Sequence, residues 1–190
     1  LWRNFLRQAP INIRVIAVDQ LGMGYSERLS SDRVLEQRVD DLTRVVAALE
    51  VTTPIVSLAH DWGGPISLGW VENEIRSGGH HIAGVVLLNT AVHQPKEFNN
   101  PAIIRLARAR GLLAPITEYS QGFVLATRIL SGKKMSREVA AGFRAPYRKR
   151  VSRKAIHGFV ADIPFEEDHV SRAPLDHIAE GLSLLCNTPV

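Results

Sequence analysis

The chain has 190 residues, 23 Lys and Arg against 19 Asp and Glu, and a formal charge of +4; 45% of its residues are hydrophobic and 22% charged. These proportions describe one folded domain, or one domain carrying an insertion, and exclude a low-complexity or disordered chain. No apolar run is long enough to cross a bilayer, and no basic-then-apolar leader is visible, so a membrane span is excluded and a cytoplasmic location is expected.

In chain order, residues 2–8 read as a helix stopped before Pro10. Residues 13–18 form a nearly continuous apolar run broken by Arg14, the pattern of a strand covered on both faces. A loop with Gly22 and Gly24 follows. Asp32 is placed to cap a helix whose apolar positions Leu35, Val39, Leu42, Val46 and Leu49 alternate by four and three. Pro54 then opens a second strand, residues 66–75 read as a helix ended by Gly78 and Gly79, and residues 85–89 read as a third buried strand. Strands alternating with helices predict a parallel sheet.

After Pro95 the pattern becomes helical, over residues 101–110, 121–130, 136–141 and 172–185. Between residues 133 and 154 nine Lys and Arg stand against Glu138 alone. A solvated helical face is the expectation for that run. It is also the candidate surface for a homo-oligomer or a fusion partner. No aromatic platform accompanies it, so nucleic acid is not expected as a partner. The lone Cys186 reads as a small buried apolar residue. Residues 187–190 look like the lead-in to another buried strand.

The motif that organises these elements is Ile55-Val56-Ser57-Leu58-Ala59-His60-Asp61-Trp62-Gly63-Gly64. It runs from strand through a tight turn into a helix, with a carboxylate at the apex and small residues, Ala59 and Gly63, two positions to either side. Such a turn forces strained backbone angles on its apex residue, and small flanks let strand and helix pass closely. A carboxylate at the apex can attack carbon directly and form an ester intermediate.

Ala-His-Asp-Trp-Gly-Gly resembles the nucleophile elbow of the α/β-hydrolases that use aspartate: haloalkane dehalogenases, epoxide hydrolases and their relatives. Residues 15–26, with Leu21-Gly22-Met23-Gly24, resemble the strand and loop that precede that elbow, nearer the dehalogenase branch. Leu1-Trp2-Arg3-Asn4 is similar to the helix after the oxyanion loop. The resemblance implies an α/β-hydrolase fold: a central parallel sheet flanked by helices, with an inserted helical cap and a sheet incomplete in this chain. It divides the chain into a partial core with the elbow (1–94), a cap (95–171) and a return helix (172–190).

The resemblance also implies roles. Asp61 would be the nucleophile, forming an alkyl–enzyme ester with a small or long-chain apolar substrate that water then releases. The backbone and indole N–H of Trp62 would stabilise the leaving group. His93, Tyr119 and Tyr147 are candidate pocket-lining residues, the tyrosines because epoxide hydrolases use cap tyrosines as acids. No cofactor and no metal is expected. No histidine here fits the base that hydrolyses the ester, and no carboxylate follows the third strand to orient one. Base and acid are therefore expected beyond Val190, and this stretch alone is expected to be inactive. The leading expectation is a haloalkane dehalogenase-like hydrolase, with an epoxide hydrolase or the β-lactone decarboxylase of olefin biosynthesis as alternatives; the leaving group itself, halide, epoxide oxygen or lactone oxygen, stays open. An inactive scaffold serving as a binding module is the non-enzymatic alternative.

Overall fold

In the computed structural model, residues 1–93, 111–130 and 135–190 are described, residues 127–130 by their backbone alone. The helix expected over residues 101–110 lies outside them, as do Lys133 and Lys134. Helix α1 (Arg3–Gln8) ends before Pro10, as expected. Residues 13–18 depart from expectation: they join no ladder with another described strand, and Ile13, Ile16 and Val18 are 39–56% exposed. An apolar run becomes a strand through its hydrogen-bonded neighbour, and none of the described elements supplies one here.

Helix α2 (Leu35–Ala48) buries Leu35 completely and Val39 almost so, with Leu42 and Val46 packed beside them. Burying each such side chain contributes about 1.5–3 kcal/mol. Its start is not capped by Asp32. The Gln37 side chain accepts from the Val34 N–H at 3.2 Å, and Ser171, 136 residues away, accepts from the Leu35 N–H at 3.2 Å.

Strands β1 (Ile55–His60) and β2 (Ile82–Leu88) pair in parallel, in register from Val56 opposite Gly84 to His60 opposite Leu88. Helix α3 (Gly63–Ser77) connects them and ends as predicted, with Gly78 left-handed at φ 66° and the Gly79 N–H bonded to the Glu74 carbonyl. It packs on one face of the pair, where Ala59 and Val85 are buried; on the other face Val56, Val86 and Leu88 remain 40–59% exposed. The predicted lead-in at the chain's end does approach the sheet, since the Pro189 carbonyl accepts from the Val85 N–H at 2.8 Å.

Beyond residue 111 the described structure is helical: a π-helical turn (Pro115–Tyr119), α4 (Gly122–Leu130), α5 (Arg137–Arg144), a 3-10 turn (Ala145–Tyr147), α6 (Arg150–Ala161), α7 (Arg172–Gly181) and a 3-10 stretch (Leu182–Asn187). Helix α5 starts on Ser136, whose hydroxyl accepts from the Val139 N–H. Helix α6 falls in the basic run and was not expected as an element. Its Phe159 and Ile156 are buried, and Phe159 joins the same core as Leu35, Ile66, Val85, Leu175 and Ile178. Cys186 is exposed rather than buried, since its 3-10 stretch buries none of its residues. No helix among the described residues is long and apolar enough to cross a membrane.

Candidate active site

Strand β1 delivers the chain to Asp61, which adopts φ 53°, and Trp62 is already in helical geometry at φ −55° and ψ −24°. A left-handed conformation costs a non-glycine residue about 1–2 kcal/mol and persists only where its surroundings hold it. Here the Asp61 carbonyl is held twice. It accepts from the Gly64 N–H at 2.9 Å and from the Thr90 hydroxyl at 2.6 Å, the latter reaching across from the end of β2. Asn89, next to Thr90, is itself left-handed at φ 43°. Two strained residues thus flank one hydrogen bond.

The close approach lies one residue from where the motif suggests it. A Cβ on Gly63 would meet the Ala59 Cβ at 3.9 Å, an ordinary contact. A Cβ on Gly64 would fall 1.9 Å from Thr90 Oγ1 and 2.7 Å from its Cβ and Cγ2. Gly64 is therefore the residue that must lack a side chain.

Asp61 is exposed and stands immediately before α3, at the helix end whose dipole favours negative charge. Among the described residues no histidine is hydrogen-bonded or ion-paired to it. Residues 95–110, the first part of the expected cap, lie outside the described residues. One groove that is described lies elsewhere, between the 21–33 loop, α2 and α6; Arg28, Arg38 and Lys154 line it, and Asp61 and Trp62 do not.

Trp62 is half-buried and meets Phe159 of α6 edge to face, with ring centroids 5.9 Å apart at 68°. His93 is exposed beside the buried Val92. Tyr119 is 57% exposed and the Arg150 guanidinium lies 3.8 Å over its ring, which puts it at the surface rather than in an enclosed pocket. The Tyr147 oxygen accepts from the Gly24 N–H at 2.9 Å and sits 3.8 Å from Met23 Sδ, joining the later helices to the Leu21-Gly22-Met23-Gly24 loop. Burial pushes the Tyr147 phenol up from its ordinary value, against the opposing pull of Gly24 and Arg28.

Three other histidines are engaged elsewhere. His80 bonds to Glu74 at 2.8 Å, His177 lies 3.3 Å from Glu72, and His169 bridges the Ala161 carbonyl and the Ser171 N–H. Glu74 is held below its ordinary range because the His80 backbone and side chain outweigh its partial burial.

A buried polar group went unread in the sequence. Arg38 and Asp162 are 3% and 4% exposed, with Arg38 Nε 3.9 Å from Asp162 Oδ2, and Ser171, fully buried, donates to the other Asp162 oxygen. The Arg38 guanidinium also lies 3.5 Å from the centroid of Phe159. Burial lowers Arg38 to about 10, against the pull of Asp162 and other carboxylates, and burial raises Asp162, against Ser171 and Arg38. A signal existed: Arg38 follows Leu35 by three and precedes Val39, at the edge of the apolar stripe.

The sequence profile of the alpha/beta hydrolase fold family matches residues 1–127, more than half of the chain. The chain belongs to the α/β-hydrolases. Among curated proteins it is similar to a cis-3-alkyl-4-alkyloxetan-2-one decarboxylase of Xanthomonas campestris, 28% identical over the whole of this chain and 65% of the relative. It is also similar to a haloalkane dehalogenase of Mycolicibacterium smegmatis, 32% identical over 60% of this chain and 37% of the relative. Among solved structures, a mutant of the haloalkane dehalogenase DatA from Agrobacterium tumefaciens superposes with a TM-score of 0.81 over 99% of this chain and 65% of that one, at 21% identity. This α/β-hydrolase thus spans a little under two thirds of the decarboxylase relative and of the DatA chain, 65% in each case.

Proposed function

We propose that Asp61 is a nucleophile that forms an alkyl ester with its substrate, and that Trp62 supplies the N–H groups facing the departing atom. The observation that carries this reading is Asp61 itself: a carboxylate in a left-handed turn between β1 and the N-terminus of α3, its carbonyl fixed by Gly64 and Thr90. Strain held in place by two hydrogen bonds serves to aim a side chain, and an ionised carboxylate aimed at carbon needs no base to attack. Residues 95–171 act as a cap over this turn, excluding water and shaping an apolar substrate site.

The favoured substrate is a β-lactone carrying two alkyl chains, because the decarboxylase relative matches this chain over its whole length. Asp61 attacks ring carbon 4, whose bond to the ring oxygen breaks, leaving a carboxylate on carbon 3. That carboxylate departs as carbon dioxide. Its bonding pair becomes the double bond between carbons 3 and 4, and the ester bond to Asp61 breaks. Atoms and charge balance without water, so this route needs no base to regenerate Asp61.

A second reading, hydrolysis of a haloalkane, is favoured by the Leu-Gly-Met-Gly loop and by the tryptophan directly after the nucleophile. It requires water activated by a base, and the described histidines offer none to Asp61. Epoxide opening is less favoured, since Tyr119 is at the surface and Tyr147 is committed to Gly24.

The test offers the protein a cis-3,4-dialkyl oxetan-2-one and a 1-bromoalkane and identifies the products. Alkene and carbon dioxide are expected from the first; alcohol and bromide would favour the second reading. Asp61→Ala should lower turnover by on the order of 10^4-fold or more. A wild-type rate in that variant would overturn the assignment.

A further inference from the structure

The contacts around Phe159 form a continuous line from a buried ion pair to the residue after Asp61. Ser171 accepts from the Leu35 N–H and donates to Asp162; Asp162 pairs with Arg38; Arg38 lies 3.5 Å over the ring of Phe159; and Phe159 meets Trp62 at 68° and 5.9 Å. Arg38 comes from α2, Phe159 from α6 and Trp62 from the start of α3, so three helices meet in one stack. Phe159 is 8% exposed and Arg38 3%, which leaves little room for either to reorient.

A buried guanidinium is costly, and its ion pair with Asp162, at 3.9 Å, is beyond hydrogen-bond range. An apolar residue in its place would leave Asp162 buried without its cation and remove the 2.9 Å bond from Arg38 to the Arg33 carbonyl. Held by these partners, the cation also gives direction: its attraction to the ring face holds the plane of Phe159, and an edge-to-face contact transmits a plane to the neighbouring ring.

We propose that Arg38 and Phe159 are positioning residues that fix the indole of Trp62, so that docking of α6 on the core sets the leaving-group donor beside Asp61. The proposal rests on the role given to Trp62 above. The Trp62 side chain hangs from a residue already constrained by the turn, so its remaining freedom is rotation of the indole, and Phe159 is the aromatic neighbour that limits it.

The test has two arms on the protein. In the first, 15N-labelled tryptophan reports the Trp62 indole N–H, identified by its loss in Trp62→Phe. Phe159→Leu and Arg38→Met should each shift or broaden that resonance while the Trp70 signal stays in place; Arg38→Lys, which keeps the cation, should move it less than Arg38→Met. In the second, turnover of the oxetanone and the bromoalkane is followed. Phe159→Leu should lower kcat between about ten- and a hundred-fold with KM little changed. In the Trp62→Phe background, where kcat has already fallen, Phe159→Leu should cost nothing more.

An unmoved Trp62 resonance in both Phe159→Leu and Arg38→Met overturns the proposal. So does a kcat loss from Phe159→Leu that is equally large with and without Trp62. If Phe159→Leu fails to fold, Phe159→Met fills comparable volume without a ring and is read in the same way. If Trp62→Phe leaves kcat unchanged, the role of Trp62 itself fails. If Trp62→Phe lowers kcat and Phe159→Leu does not, the positioning proposal alone fails.

Discussion

The elbow makes opposite demands on two adjacent glycines, and a pair of alanine substitutions measures the difference. In Gly64→Ala the new Cβ would lie 1.9 Å from Thr90 Oγ1 and 2.7 Å from two carbons of the same side chain. Thr90 must then move, and its hydroxyl loses the 2.6 Å bond to the Asp61 carbonyl. Overpacking of this kind costs about 1–3 kcal/mol and the lost hydrogen bond about 1 kcal/mol, so the loss should be about 2–4 kcal/mol. In Gly63→Ala the nearest atom is 3.9 Å away and the backbone is already helical, so stability should change by less than about 0.5 kcal/mol. Urea unfolding followed by tryptophan fluorescence gives both values. Adding Thr90→Ala to Gly64→Ala should recover part of the loss by removing the two atoms at 1.9 and 2.7 Å that lie beyond Cβ. Equal stability of the two single variants would refute the account of how Asp61 is held.

Further predictions follow from the helices beyond residue 111. Arg153 is buried and donates to the carbonyls of Glu118, Tyr147 and Arg148 at 2.9–3.0 Å, so Arg153→Met should cost roughly 3 kcal/mol by chemical denaturation, with Arg153→Lys recovering less than half of it for want of a planar fork. Burial raises Asp162 above its ordinary 3.8, so its contribution to stability is full below that pH and is lost as pH rises through the raised value. Asp162→Asn abolishes that loss, and its urea midpoint relative to wild type should improve as pH is raised above about 3.8, even where the orphaned Arg38 lowers its absolute stability. Tyr147→Phe should cost about 1 kcal/mol through the Gly24 N–H, and ultraviolet titration should show Tyr147 ionising above the exposed tyrosines.

Much of the elbow was legible because its determinants are local. An apolar run, a turn residue with small neighbours and a glycine stop at Gly78 specify β1, α3 and their junction within 24 residues of sequence, and β2 follows with the same apolar signature. What escaped reading depends on partners far along the chain. Residues 13–18 have the composition of a strand and no described neighbour to pair with. The start of α2 is completed by Ser171 rather than by Asp32, because a hydroxyl 136 residues away reaches the Leu35 N–H. The basic run read as solvated, and Arg137, Arg144, Arg148, Lys149 and Arg150 are indeed exposed, but Arg153 is buried under three carbonyls, Arg150 pairs with Glu118, and Lys154 donates to the Ser30 carbonyl. The charges there work partly as staples, and the apolar positions that make α6 a buried helix were hidden among them. Arg38 and Asp162 were missed for a related reason: a charge is assigned to the surface until its partner is seen.

The central claim is that Asp61 makes a covalent bond to substrate carbon. The most direct measurement is rapid chemical quench during turnover, followed by mass spectrometry of the peptide that carries Asp61. The account predicts a transient mass increase located on Asp61 and absent from Asp61→Ala, equal to the whole ring-opened lactone with the oxetanone, or to the alkyl group less one hydrogen with the bromoalkane. Turnover without any adduct on that peptide, or an adduct on another side chain that survives Asp61→Ala, would contradict it.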